Sequence, residues 1–252
     1  MIWLFLFACG GGPAEVTPVV AAPRADLPDV VFITLDTTRA DRIGAYGYEK
    51  AHTENIDALA SRGRRYDRAW SVIPLTIPSH ASLFTGRYAP ALGIRSNGSG
   101  KLEDSEYTLA EAMSDAGFVT AASVGAFVTT SVWGFDQGFE TFRDDVPIAK
   151  QFWRSERRGE EVVDDILEWK GKQTGERPLF AWVHLYDPHF PYHPPKAWFD
   201  EAEGRPYDGE LAYVDDQVGR LVEGFGPDAV YVLASDHGES LGDHGEFSHG
   251  LF

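Results

Sequence analysis

Three apolar runs in this chain end in aspartate: "DVVFITLD" (29–36), "PLFAWVHLYD" (178–187) and "DAVYVLASD" (228–236). Each is short, rich in β-branched or aromatic residues, and apolar without polar alternation. Such strands are buried on both faces, as in a parallel sheet covered by helices. "VTAASVGAF" (119–127) reads as a fourth strand. Helical patterns lie between them. "NIDALASRG" carries apolar residues at 56, 59 and 60 and stops at glycine, and "TLAEAMSDAG" opens with Thr108 and Glu111 at the spacing of a capping box. "EEVVDDILEWKGK" and "GELAYVDDQVGRLVEGFG" are amphipathic. The alternation predicts an α/β fold, a mostly parallel central sheet flanked by helices on both faces. Ligands of such sheets bind beyond the carboxyl ends of the strands. One strand-end aspartate is commonly a helix cap. Three, two of them beside histidines, put carboxylates on the edge where ligands bind.

With 252 residues the chain is long enough for one large domain and its core. Its net charge of −17 argues against nucleic acid, whose phosphates are bound by clustered Lys and Arg. A soluble acidic surface accounts for most of the carboxylates, and some are free to face metal ions. The only cysteine, Cys9, excludes an internal disulfide. It follows "MIWLFLFA", far shorter than the roughly 20 residues of a membrane-spanning helix but suited to a secretory apolar core. "LFAC" resembles a bacterial lipobox, although no basic residues precede it and Phe7 stands where a smaller residue is usual. The expected organisation is a signal peptide and lipobox over 1–9, a Gly/Pro/Ala-rich flexible tether over 10–28, and one domain over 29–252. It implies export, with a lipid holding the protein to the bacterial cell envelope. "EFSHGLF" ends the chain directly after a polar cluster, with no closing helix or strand, and reads as a domain truncated at its C-terminus.

Six of the eight histidines fall between 184 and 249, in "HLYDPHFPYHPP" and "SDHGESLGDHGEFSHG". Aspartate and neutral histidine suit Zn²⁺, Mn²⁺, Mg²⁺ or Ca²⁺. Asp236 and His237 sit at a strand end with Gly238 behind them, so both can reach one ion. Isolated histidines such as His52 and His184 read as structural. "PLTIPSHASLFTG" (74–86) reads as a strand running into a helix that starts near Ser79, with the hydroxyl of Thr76 at the junction. That hydroxyl is a cap or a nucleophile.

Four motifs in order, "FITLDTTRADRIGAYGY", "TIPSHASLFTGRYAPALGIRSNG", "WVHLYDPHFPYHPP" and "SDHGESLGDHGEFSHG", resemble the N-terminal catalytic domain of the sulfatase branch of the alkaline phosphatase superfamily, over about residues 29–252. The resemblance implies a three-layer fold and a hydrolase of phosphate or sulfate esters. Asp36 matches the first metal-binding acid, and Asp236 and His237 match the second pair of ligands. Thr76 matches the nucleophile and would also touch the metal. His189 and His249 match residues that face the ester, His80 stands at the motif arginine, and Asn97 is a candidate substrate contact. Thr37 departs from the family, which often has a second aspartate there. The implied cofactor is one divalent cation. A second would draw on Asp187, His189 and His193.

The family's aldehyde nucleophile derives from Cys or Ser. Threonine carries a methyl on Cβ and cannot give an aldehyde. This favours phosphoryl transfer through Thr76, and the expected partner is an anionic ester. Two alternatives stay open: a phosphoalcohol transferase acting on surface glycan or lipid, and a non-catalytic binding lipoprotein. Trp133, Phe135, Trp153 and Trp198 fit core packing better than a sugar pocket.

Overall fold

A computed structural model describes residues 26–148, 150 and 155–250. The lipobox segment, the tether through residue 25 and Trp153 lie outside the described residues. The elements run β1 (Val30–Leu35), α1 (Glu54–Arg62), α2 (Thr76–Thr85), α3 (Leu109–Asp115), β2 (Val119–Val124), β3 (Thr141–Arg143), α4 (Gly159–Gly171), β4 (Leu179–Leu185), α5 (Lys196–Glu201), α6 (Pro206–Phe225) and β5 (Val230–Ser235). The five strands form one sheet in the order β3-β2-β4-β1-β5, and every pairing is parallel.

The period of two along each strand divides the core into two layers. Val31, Ile33 and Leu35 of β1 and Leu179, Ala181, Val183 and Leu185 of β4 pack against α1, α4 and α6. Phe32, Phe180 and Trp182 point the other way, onto Ile77, Ala81 and Phe84 of α2 and Ala110 of α3. Trp182 is fully buried against Phe84 at 4.5 Å between ring centroids. Truncating such a residue to alanine costs about 3–5 kcal/mol. Phe135 joins this layer, and Trp133 packs at its margin.

Helix starts follow their caps. Thr108 and Glu111 form the expected capping box at α3. At α1 the cap comes from elsewhere in the fold: the Asp215 carboxylate of α6 accepts the N–H groups of Asn55 (3.0 Å) and Ile56 (2.8 Å). Helix α2 differs from expectation. No strand precedes it, and it begins at Thr76, three residues before Ser79. Pro78 marks this first turn, where a missing N–H costs nothing because first-turn N–H groups have no partner within the helix. β3 is short and half-exposed, and β5 leaves Val230 and Val232 exposed, whereas β4 is buried throughout.

The register decides which strand-end residues meet. Leu35 pairs with both Leu185 and Ser235. Asp36 therefore lies level with Asp236 and with Tyr186, while Asp187 lies one residue further on. One residue reverses the face. Asp36 and Asp236 point to the α2 side, and Asp187 points to the α4/α6 side.

Candidate active site

Thr76, the first residue of α2, is buried, and its hydroxyl lies 3.4 Å from Asp36 Oδ2 and 3.3 Å from His237 Nε2. Asn97, an expected substrate contact, places Oδ1 on the Ile77 N–H at 2.9 Å and so caps α2 beside Thr76. Ser79 donates to the Asp236 carbonyl at 2.6 Å and ties the helix to the turn after β5.

The two carboxylates are held by one oxygen each. Asp236 Oδ1 accepts the N–H groups of His237 (2.9 Å) and Thr37 (3.3 Å), while Oδ2 has no hydrogen-bond partner. Asp36 Oδ2 receives the Thr76 hydroxyl, while Oδ1 has no partner. Burial pushes Asp36 up to about 6, with His237 and His249 opposing the shift. Asp236 is raised by burial and by the charge of Asp36.

His237 completes the group. Its Nδ1 lies 3.0 Å from the Gly238 carbonyl, which can only accept, so Nδ1 carries the proton. In the neutral ring, the form that can bind a metal, Nε2 presents a lone pair 3.3 Å from Asp236 Oδ2. Two facing acceptors in a buried site repel, and a cation between them removes the conflict. Ligand atoms of Asp36, Asp236 and His237 lie within 4.8 Å of one another, all buried. With the orphaned carboxylate oxygens, this donor set fits a divalent cation.

A buried polar network underlies the site. Thr34 Oγ1 accepts from Trp182 Nε1 (3.0 Å) and contacts His80 Nε2 (3.1 Å) and His184 Nδ1 (3.0 Å). Burial pushes His80 down to about 3 and His184 down to about 4, so both rings are neutral. His80 Nδ1 donates to the Thr76 carbonyl at 2.9 Å. His80 Nε2 must therefore accept the Thr34 proton, and His184 Nδ1 must donate to Thr34. His80, which the family resemblance puts among the catalytic groups, has both nitrogens bonded beneath the helix, to Thr76 and Thr34. His184, read from sequence as structural, places Nε2 3.5 Å from Asp36 Oδ2.

His189 and His249 stand in front of this group. Their rings lie 5.0 Å apart, and His249 lies 4.5 Å from His237. His189 donates Nδ1–H to the Phe190 carbonyl at 2.6 Å and stacks on Tyr186. Burial, with His249 beside it, pushes it down to about 3, so the ring is neutral. For His249 burial opposes the charge. The hydrogen bond that His249 Nδ1–H donates to Glu239 Oε1 (3.2 Å) and the charges of Asp36, Glu239 and Asp236 outweigh it and raise the pKa. Sequence reasoning missed Glu239. Its position two residues past His237 in "SDHGES" was the available signal.

The second metal set does not assemble. Asp187 Oδ1 is taken by the Gly159 N–H (3.3 Å) and faces Arg158 (3.5 Å), and His193 is exposed. Thr37 also turns away from the metal ligands. It is buried at φ +49°, a conformation that is strained for a β-branched residue. Its hydroxyl donates to the Pro188 carbonyl (2.8 Å), and its own carbonyl accepts from Tyr207 (2.8 Å).

A cleft of about 1300 Å³ opens in front of the site, bordered by Ser79, Asp236, His237 and His249 and, further out, by Trp70 and Arg65.

Known proteins resemble this chain in sequence and fold. The arylsulfatase of Clostridium perfringens is 22% identical over 315 residues, covering 89% of this chain and 66% of that protein. The ulvan-active sulfatase of Formosa agariphila is 26% identical over 271 residues, covering 85% of this chain and 51% of that protein. The phosphonate monoester hydrolase of Agrobacterium radiobacter has the same fold, with a TM-score of 0.75 at 20% identity over 90% of this chain and 66% of that one. The chain thus spans between 51% and 66% of the length of these relatives. The family model described as Sulfatase matches residues 28–251, nearly the whole chain, and the chain belongs to the sulfatase family.

Proposed function

We propose that this chain carries the catalytic centre of a metal-dependent ester hydrolase, with Thr76 as nucleophile and phosphate esters as the preferred substrates. The observation that carries the reading is the Thr76 hydroxyl at a helix N-terminus, within hydrogen-bond reach of Asp36 and His237, beside two buried carboxylate oxygens without partners. Asp36, Asp236, His237 and Thr76 Oγ1 would hold a divalent cation, which when bound supplies the positive charge that lowers the hydroxyl pKa and screens the anionic ester.

The remaining steps belong to the chain's own residues. The Thr76 hydroxyl gives its proton to the Asp36 carboxylate, to which it already donates, and Oγ1 attacks phosphorus in line. The bond to the ester oxygen breaks as the Thr76–phosphorus bond forms. The N-terminus of α2 directs backbone N–H groups and a partial positive charge at the anion. His249, with Glu239 behind Nδ1, is the histidine suited to meet the leaving oxygen with a proton. His189 enters neutral, and an arriving anion favours its protonated form. Water then attacks phosphorus in a second in-line step and frees Thr76.

Threonine decides between phosphorus and sulfur. A sulfated aldehyde hydrate can expel sulfate by re-forming its carbonyl, and a threonine sulfate ester has no such exit. A phosphothreonine is opened by attack at phosphorus. The name of the Agrobacterium structure records hydrolysis of a phosphorus ester on the same fold. The proposal extends to location: the "LFAC" motif supports export with a lipid on Cys9, which incorporation of labelled fatty acid would test.

The test is turnover by the whole chain, loaded in turn with Ca²⁺, Mg²⁺, Mn²⁺ and Zn²⁺. The substrates are p-nitrophenyl phosphate, bis-p-nitrophenyl phosphate and p-nitrophenyl sulfate. The expected result is release of nitrophenol from a phosphate ester with at least one metal. No turnover with any metal contradicts the proposal, and acceleration by added alcohol would redirect it to a transferase.

A further inference from the structure

We propose that Arg158 and Glu210 are positioning residues, which grip both ends of the segment 187–193 and thereby hold the His189 ring against His249 at the edge of the catalytic cleft. The inference rests on the hydrolase reading for what His189 does, and on geometry alone for the grip. Glu210 projects from α6, and its Oε1 accepts the His193 N–H at 2.6 Å. Arg158, immediately before α4, donates Nη2–H to the carbonyl of the same His193 at 2.7 Å. Both backbone polar atoms of one residue are thus held by side chains from two helices. Arg158 Nη1 lies 3.5 Å from Asp187 Oδ1 and 3.7 Å from Glu210 Oε2, so one guanidinium reaches both ends of the segment. The Gly159 N–H fixes Asp187 Oδ1 a second time (3.3 Å).

Between these ends the Thr37 hydroxyl holds the Pro188 carbonyl, which links the segment to the turn after Asp36. The His189 ring is then confined between Tyr186, stacked at 4.4 Å, and His249 at 5.0 Å. Neither Arg158 nor Glu210 lines the cleft in front of Thr76. The Glu210 carboxylate and the Arg158 guanidinium are spent on a segment whose His189 ring packs against His249, a residue that lines the cleft. Positioned groups of this kind matter because a misplacement of about 1 Å can cost about 10²-fold in rate.

A merely structural pair would lower stability without touching chemistry. The positioning role predicts something narrower. Glu210→Ala removes the acceptor for the His193 N–H, and Glu210→Gln keeps an acceptor oxygen in the same place. Arg158→Lys keeps the charge but loses the fork that spans His193 and Asp187. Each variant of the whole chain is measured for kcat and KM on p-nitrophenyl phosphate. Amide hydrogen exchange is read at His189, Phe190, Tyr192 and His193. The expected result for Glu210→Ala and Arg158→Lys is about 10-fold faster exchange at His193 with kcat down about 10- to 100-fold and KM within about twofold, whereas Glu210→Gln stays near wild type. Unchanged exchange in both Glu210→Ala and Arg158→Lys overturns the grip. Faster exchange with unchanged kcat, or equal loss of kcat in Glu210→Gln and Glu210→Ala, overturns the positioning role. If wild type hydrolyses none of the esters, the hydrolase reading fails, and the exchange data still decide the grip.

Discussion

Asp36 and Asp187 follow neighbouring parallel strands, are both buried, and are both pushed up to about 6 by burial. They nevertheless do different work. Each leaves one oxygen bare, but Asp36 meets Asp236, His237 and the Thr76 hydroxyl. Asp187 meets a helix N-terminus and an arginine. The register supplies the reason. Asp36 is level with Asp236 and shares its face, and Asp187 is one residue out and points to the other layer. A strand-end carboxylate becomes a ligand or a clamp according to its parity, before any detail of its loop matters.

The largest expected effects fall on the Asp36 face. Thr76→Ala should lower kcat by about 10³-fold or more while metal content by elemental analysis stays at the wild-type level. Metal loss in Thr76→Ala would show that Asp36, Asp236 and His237 do not suffice to hold the ion without Thr76 Oγ1. Asp236→Asn should weaken metal affinity by about 10²-fold, read by chelator competition. Asp187→Asn should leave that affinity alone, and a matching loss would erase the contrast between the faces.

Smaller effects belong to the Asp187 face. Asp187→Ala should destabilise the fold by about 1–3 kcal/mol in urea unfolding, the cost of leaving the Gly159 N–H and Arg158 without their acceptor. No change would mean that water replaces the carboxylate. Glu210 gives the smallest and most specific signal. Burial, with Asp187 beside it, pushes its carboxyl from an ordinary 4.5 up to about 8, against the pull of Arg158. Between those pH values the folded state holds a proton that the unfolded state has released, so this residue makes stability fall as pH rises. Glu210→Gln removes that slope. The stability of Glu210→Gln relative to wild type should be greater at pH 8.5 than at pH 5, and an equal difference at both would contradict the shift.

Much of the fold was legible because its strongest signals are local. The buried strands announced themselves as apolar runs, and the capping box of α3 sits in the sequence as Thr108 and Glu111. Of the two edges of the sheet, β3 was not legible, and β5 was legible as a strand but not as an exposed one. β3 is three half-exposed residues with no pattern to read, and the exposure of β5 depends on what pairs beside it. The early start of α2 was hidden by Pro78, taken as a boundary when it lies in the first turn.

Within the site, Asp36, Thr76, Asp236 and His237 could be named from motifs. Their meeting needs pairings across 161 residues, between Thr76 and His237, which sequence spacing does not contain. The bonding of His80 and His184 was hidden for one reason. A histidine's role depends on where each ring nitrogen finds its partner, and Thr34, which settles both tautomers, looks from sequence like any threonine in a strand. Asp187 was grouped with His189 and His193 by proximity in sequence. Counting parity along β4 from its apolar residues would have placed it on the opposite face.

The central claim is that Thr76 becomes covalently esterified during turnover. It is tested by acid-quenching the metal-loaded chain during hydrolysis of p-nitrophenyl phosphate and mapping its peptides by mass spectrometry. The account predicts a phosphoryl group on Thr76 that appears with substrate and is absent from Thr76→Ala. Steady hydrolysis by a chain whose Thr76 peptide stays unmodified, or undiminished hydrolysis by Thr76→Ala, would contradict it.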